Sequence, residues 1–280
     1  METKTEVKVD GKETKQQMDK LKKKVKSEIK DEFVDKPKLQ LKLNSDKTPW
    51  KILLQKVSGI QEEVALEIGK DGLHTKTADK TNVAMVDLTI KKKCFEEYKV
   101  SHTVKFGMNL TKLNTHMKVY GDDITAENGD SQLIFKGEKG LQSKMGLLTV
   151  IDFDIKLPEF AYSVELKAPA ENIQKMVQVA KDFKQEALQF IIKEKQFFIL
   201  VENETDEVRF PICAVNKLDE SGDFKTLYST AFLDNVLKFE AKDNLILKFG
   251  KDIPVLIDYE DDDHKVQYLL APRIESDDDE

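Results

Sequence analysis

A chain of 280 residues exceeds one typical domain and is long enough for two, each burying its own core. Hydrophobic residues make up 40% and charged residues 35%, and the longest apolar runs, such as Phe197-Phe198-Ile199-Leu200-Val201, fall far short of the roughly 20 residues that span a bilayer. A formal net charge of −7 excludes a small basic module that binds nucleic acid by its bulk charge, although a sum says nothing of distribution.

The acid is concentrated in two runs, 258–263 and 275–280, whereas lysine recurs along the predicted helices. Met1 is followed by mixed charges and not by an apolar stretch, so no secretory leader is expected and the cell interior is the expected address. Cys94 and Cys213 stand far apart, without metal-ligand or redox spacing, and read as two reduced thiols.

Residues 1–37 are rich in Lys, Glu and Asp, with one thin apolar stripe at helical spacing: Met18, Leu21, Val25, Ile29 and Phe33. So narrow a stripe supports at best a mobile or partly helical appendage, closed by Pro37. From Lys38 the texture changes. Leu39, Leu41 and Leu43 alternate with polar residues as a half-buried strand does. Thr48-Pro49 supplies an N-cap and a first-turn proline for a helix with Trp50, Leu53, Leu54 and Val57 on one face. Strands are predicted at 64–68, 73–78 and 83–90, separated by turns at Lys70-Asp71-Gly72 and Asp79-Lys80-Thr81. A helix follows over 109–120, with Leu110, Leu113 and Met117 inward, then strands at 123–126 and 132–135.

The order then returns. A strand at 162–166 precedes a helix over 169–183, with Ile173, Met176, Val177 and Ala180 inward. Strands at 188–192, 197–201 and 208–214 lead to a helix over 229–239 that turns Phe232, Leu233, Val236 and Leu237 inward. Strands at 244–249, 255–259 and 266–270 close the chain. Two stretches of about 110 residues with one order of elements indicate an internal duplication.

Catalysis finds little support. There is no Gly-x-x-x-x-Gly-Lys loop, no His-Glu-x-x-His and no nucleophile elbow. His74, His102, His116 and His264 are scattered, and the acidic stretch 258–264 reads as a hairpin turn and not as a metal loop. The expectation is a non-enzymatic protein with no catalytic residues, metal or cofactor.

Five segments carry a family resemblance. The C-terminal stretch Tyr268-Leu269-Leu270-Ala271-Pro272-Arg273-Ile274-Glu275 is followed by acid, and an early segment runs from Asp71-Gly72-Leu73 through Asp79 to Val86-Asp87-Leu88. Phe95-Glu96-Glu97-Tyr98, Phe106-Gly107-Met108-Asn109-Leu110-Thr111 and Ile155-Lys156-Leu157-Pro158-Glu159-Phe160-Ala161-Tyr162 fall between them in order and spacing. Together they resemble the proliferating cell nuclear antigen family of DNA sliding clamps, in a texture closer to its archaeal members, from about Lys38 to Glu275. The extra residues 1–37 depart from that family, as do Ala78, where a methionine is common, and Lys80-Thr81, in place of Pro-Ser.

The resemblance implies an α+β DNA clamp fold: two duplicated domains, antiparallel sheets outside and four helices lining an inner face, in a ring of three chains. Its domains would be 38–146 and 162–275, joined by a linker at 147–161, with an acidic tail at 276–280. It implies a polymerase processivity factor that encircles duplex DNA and tethers polymerase, clamp loader, ligase and nuclease. The address would be cytoplasmic in an archaeon and nuclear in a eukaryote. A subunit of a heterotrimeric or checkpoint clamp is the alternative. Ring-joining edges would be strands near 131–136 and, on a neighbour, 196–202. DNA-facing lysines would be Lys51 on the first helix with Lys47 and Lys56 flanking it, Lys112 and Lys118 on the second, Lys175 and Lys181 on the third and Lys238 on the fourth. Asp182 and Asp234 would weaken their field. A partner-peptide pocket would use Ala78, Asn82, Val83 and Met85 from the first half, and Ile155 and Leu157 from the linker. Pro254, Leu270, Ala271, Pro272 and Ile274 would complete it from the second half.

Overall fold

The structure, a computed structural model, describes residues 40–43, 49–121, 123–129, 131–149, 155–215, 217–218 and 223–273, with backbone alone at 40–43 and 217–218. The chain divides into units Met1–Pro37 and Lys38–Glu280, and all described residues belong to the second. The stripe from Met18 to Phe33, the cap at Thr48, Lys47, Ile274 and the acidic tail lie outside the described residues.

Two halves repeat one order of elements. The first runs β1 (Gln40–Leu43), α1 (Pro49–Val57), β2 (Glu63–Ile68), β3 (Gly72–Ala78), β4 (Ala84–Lys91), β5 (Phe95–Lys99), β6 (Val104–Asn109), α2 (Leu110–Met117), β7 (Thr125–Asn128), β8 (Gln132–Lys136) and β9 (Gln142–Gly146). The second runs β10 (Val164–Pro169), α3 (Ala170–Asp182), β11 (Ala187–Lys193), β12 (Gln196–Glu202), β13 (Glu207–Ala214), β14 (Lys217–Leu218), β15 (Phe224–Ser229), α4 (Thr230–Val236), β16 (Asn244–Phe249), β17 (Val255–Glu260) and β18 (His264–Leu270). Each half therefore holds a strand, a helix, five strands, a second helix and three strands.

Local chemistry explains the elements. In β4 the residues alternate between buried and half-buried, with Ala84, Val86, Leu88 and Ile90 inward, as a sheet with one covered face requires. In α3 the buried residues Ala170, Ile173, Met176, Val177 and Ala180 recur at helical spacing. Asn109 caps α2 by accepting a hydrogen bond from the Lys112 N–H at 2.9 Å. Helix and sheet meet through large side chains. Trp50 of α1 stands edge-on to Phe135 of β8 at 6.0 Å, and Phe190 of β11 packs against Phe197, Tyr228 and Phe249 in the second half. Each fully buried side chain of this size contributes on the order of 2–3 kcal/mol.

The strands pair antiparallel in three sheets: β5-β1-β7-β8-β9, β13-β12-β11-β15, and a nine-stranded sheet β14-β10-β16-β17-β18-β4-β3-β2-β6. The last is the second half's five-stranded sheet fused to the first half's four-stranded sheet. The fusion is the β18–β4 ladder, from His264↔Ile90 to Leu270↔Ala84. Flanking bonds extend it: the Ala271 N–H donates to Val83 O and the Lys91 N–H to Asp263 O, both at 2.8 Å. Beneath it the buried Tyr268 hydroxyl donates to Lys56 O at 2.8 Å.

The chain leaving each half crosses that half's sixth strand in the same way. Leu148 bridges Gly107 of β6, and Arg273 bridges Leu227 of β15. Gly107 is required there, since a Cβ would sit 2.8 Å from Leu148 Cβ and 3.0 Å from its carbonyl oxygen.

The edges expected to join chains are corrected by this topology. The strands at 131–136 and 196–202 are β8 and β12, and both are interior, paired on each side. Among the described residues the open counterparts of β18 and β4 are their neighbours, β9 and β13. Strong apolar alternation marks central strands. Edge strands are polar or carry proline, as Gln142-Ser143-Lys144 of β9 and Pro211 of β13 do.

Candidate functional site

The repeat equates α1 with α3 and α2 with α4. Buried positions correspond one by one: Trp50 with Ala170, Leu53 with Ile173, Lys56 with Met176 and Val57 with Val177. The opposite faces are exposed. Lys51 on α1, Lys112 on α2 with Lys118 at its cap, and Lys175 on α3 are all exposed. Lys175 Nζ also stands 4.9 Å from the Phe210 ring. Lys181 and Lys238 converge on one carboxylate, Asp234, at 3.0 and 3.7 Å. Hydrogen bonding from Lys181 holds that carboxyl below its usual range. The Asp182 carboxylate accepts from the Gln178 amide at 2.8 Å.

Lys56 is not on the exposed face, which corrects its assignment. The residue is only 5% exposed. Its ammonium lies 3.6 Å from the centre of the Phe239 ring and donates to Lys238 O, so a side chain of the first half engages the exit of α4 in the second. Burial lowers its pKa from the usual 10.5 to about 8, and the carboxylates of Asp243, Asp261 and Glu240 oppose that shift. Periodicity contains the signal: position 56 follows Leu53 by three, on the buried arc. Charge alone pointed outward.

The proposed partner pocket lies on the other, outward face of the nine-stranded sheet. Odd-numbered residues of β4 point there. Register aligns Ala78 with Met85, Met85 with Leu269, and Leu269 with Leu256, an apolar row across four strands and both halves. Leu270 is corrected: it is 1% exposed and faces the core. Leu269, itself only 5% exposed, takes its place on the outward side of the sheet beside half-buried Met85 and Leu256, and sequence reasoning missed both it and Leu256. Strand alternation counted from Tyr268 would have found Leu269.

The loop before β4 is held by Asp79. Its carboxylate accepts from the Ala84 N–H at 2.7 Å, the Thr81 N–H at 2.9 Å and the Thr81 hydroxyl. Burial would raise this carboxyl, but those hydrogen bonds bring it below the usual range. Asn82 adopts φ 57° within the loop, a conformation asparagine tolerates. Ala78, Asn82 and Ile155 line one cavity of about 720 Å³, together with Gln61, Lys76 and Leu148. Val83, Leu157, Pro254, Ala271 and Pro272 are half-buried. Pro254 and Ala271 flank the last β17–β18 pair, Val255↔Leu270, but neither they nor Leu157 and Pro272 line that cavity.

A family model described as "Proliferating cell nuclear antigen, N-terminal domain" matches residues 39–158. The chain is 26% identical over 234 residues to a protein of Thermococcus onnurineus named "DNA polymerase sliding clamp", covering 80% of this chain and 94% of that one. A protein of the same name from Pyrococcus furiosus is 24% identical over the same coverage. Among solved structures, PCNA of Thermococcus kodakaraensis matches with a TM-score of 0.73 and 21% identity, over 84% of this chain and 100% of that one. A structure of the C-terminal region of FEN-1 bound to A. fulgidus PCNA gives 0.74 and 22%, over 85% and 99%. At these identities the structural likeness carries the fold.

Proposed function

Since the chain belongs to the proliferating cell nuclear antigen family of sliding clamps, we propose that it closes into a ring around duplex DNA and works, without a catalytic step of its own, as a DNA polymerase processivity factor. One observation carries the reading: the halves of a single chain join edge to edge through β18 and β4, and among the described residues the equivalent edges β9 and β13 are open. An open edge is an assembly or aggregation site unless another strand covers it. Because β9 and β13 are different surfaces, their pairing is head-to-tail, which generates a closed ring when the rotation permits.

The internal seam supplies the register. With Ser143 in the place of Tyr268 and Val208 in that of Val86, Leu141 faces the neighbour's Phe210 and Lys144 its Glu207, and both pairs are complementary. Leu141 and Val119 are 39% and 57% exposed, unusual for apolar residues of this size. Val119 matches Phe239, which the seam covers. Pairing of this kind favours copies of one chain over a mixed ring.

Exposed Lys51, Lys112, Lys118 and Lys175 then contact phosphates without reading sequence, as sliding requires. The apolar row and adjoining cavity take partner peptides of polymerase, loader, ligase or nuclease by strand addition and side-chain anchoring. The test is light scattering on the full chain after size exclusion. A stable trimer is expected, and a persistent monomer would favour the specialised subunit of a mixed clamp.

A further inference from the structure

The helices of the two halves differ in charge. Helices α1 and α2, through the cap residue Lys118, carry Lys51, Lys56, Lys112 and Lys118 and no acid. Helices α3 and α4, through Lys238, carry Lys175, Lys181 and Lys238 against Glu171, Asp182 and Asp234. The first pair is wholly basic and the second is neutral. Lys56 is buried, yet Lys51, Lys112 and Lys118 remain exposed on the first pair.

One position accounts for much of the contrast. With Val119 matched to Phe239, Lys118 matches Lys238 and Asn114 matches Asp234. Asn114 is a neutral amide. The Asp234 carboxylate instead accepts a hydrogen bond from Lys181 Nζ of α3 at 3.0 Å and lies 3.7 Å from Lys238 Nζ, one turn further along. A single acid therefore ties two lysines that arrive from different elements. An exposed ion pair adds little to stability, so the fold does not account for the arrangement. Its effect on an approaching phosphate is repulsion, which persists whether or not the pairs stay closed.

We propose that Asp234 withholds Lys181 and Lys238 from DNA phosphates, so that α1 and α2 grip the duplex and the second half adds little beyond Lys175. Asp234 is thus a positioning residue for the DNA-facing surface: it touches no phosphate and acts through the two lysines it holds. Around a ring, basic and neutral sectors then alternate. Fewer phosphate contacts mean a weaker, less salt-sensitive hold, which suits a protein that must slide. The inference rests on the reading of these helix faces as DNA-facing.

The experiment measures binding of the full chain to a fluorescent duplex of about 30 base pairs by anisotropy, between about 50 and 200 mM salt. Asp234→Asn keeps the side-chain shape and removes the charge. Each phosphate contact it releases should steepen the plot of log affinity against log salt by about 0.9, which is about 3.5-fold more affinity lost across that range. Binding at the low-salt end should tighten. Asp182→Asn makes the same change in net charge in the same half, but that carboxylate is engaged by the Gln178 amide, so the slope should stay at the wild-type value. A slope for Asp234→Asn no steeper than that for Asp182→Asn overturns the proposal. Lys112→Ala combined with Lys118→Ala tests the reading beneath it. If that pair fails to weaken binding, the helices do not face DNA and both ideas fall; if it weakens binding while Asp234→Asn leaves the slope unchanged, only the role of Asp234 falls.

Discussion

Strands β4 and β13 hold the same place in the two halves, yet their inward residues end in different surroundings. Val86 and Leu88 of β4 are completely buried, because β18 lies alongside. Their counterparts Val208 and Phe210 on β13 are half-exposed. The local pattern is shared, and the difference is whether a strand covers the edge. Burial at such positions is thus decided by the neighbouring strand, supplied within the chain in one case and, on the proposed reading, by a second chain in the other.

The comparison breaks most severely at the covered edge. Tyr268→Ala removes a fully buried aromatic and the donor to Lys56 O, and is expected to cost about 3–5 kcal/mol in denaturant unfolding of the monomer. A loss below about 1 kcal/mol would mean that the seam is not part of the cooperative core. At the open edge the same logic predicts a different phenotype. Phe210→Asp should leave monomer stability within about 1 kcal/mol, because the side chain is already half-exposed. It should weaken assembly by about 2–3 kcal/mol, roughly 30- to 150-fold, by burying an unpaired charge. Light scattering across a dilution series measures the shift, and an unchanged trimer excludes β13 as a contact.

A smaller effect concerns pH at the seam. The Lys56 pKa falls from 10.5 in the unfolded chain to about 8 in the fold, so between these values the unfolded state binds the extra proton. Stability from this group therefore rises with pH from about 8, and the rise should vanish in Lys56→Met. His264 acts in the same direction at lower pH. Its pKa is lowered, chiefly by burial and also by Lys56, while Asp261, Asp263 and Asp243 oppose the shift, so its stability contribution is lost on acidification below its usual 6.5. Urea unfolding of both proteins at pH 7.5 and 9.5 tests the lysine. The smallest effect belongs to the rim. Lys144→Glu should weaken assembly by about 0.5–1 kcal/mol, and adding Glu207→Lys should restore it, a double-mutant cycle that fixes the register.

Much of the fold was legible in the sequence because the necessary physics is local. Period-two alternation located β1, apolar segments bounded by turns located β3, β4, β12 and β17, and the helical stripes located all four helices. The strands that escaped notice, β5, β6, β9, β14 and β15, are short or polar, or owe their place to partners distant in the chain, such as Leu41↔Tyr98 and Gly107↔Leu148. The site divides along the same line. Exposed lysines follow from helix faces, and helical spacing and strand alternation were enough to put Lys56 inward and Leu269 outward, but what encloses Lys56 required knowing what covers α1.

Taken alone, the amino-acid order determined that this protein has two duplicated α+β halves, where their helices lie, and which family the motifs resemble. Only the tertiary structure decided which edges remain open, that β18 joins β4 to fuse the halves, and that one lysine of the first helix is enclosed by the second half. Side-chain periodicity is set within a few residues of chain. Strand neighbours and the burial of a charge depend on segments more than a hundred residues apart meeting in space, and no local pattern records that meeting.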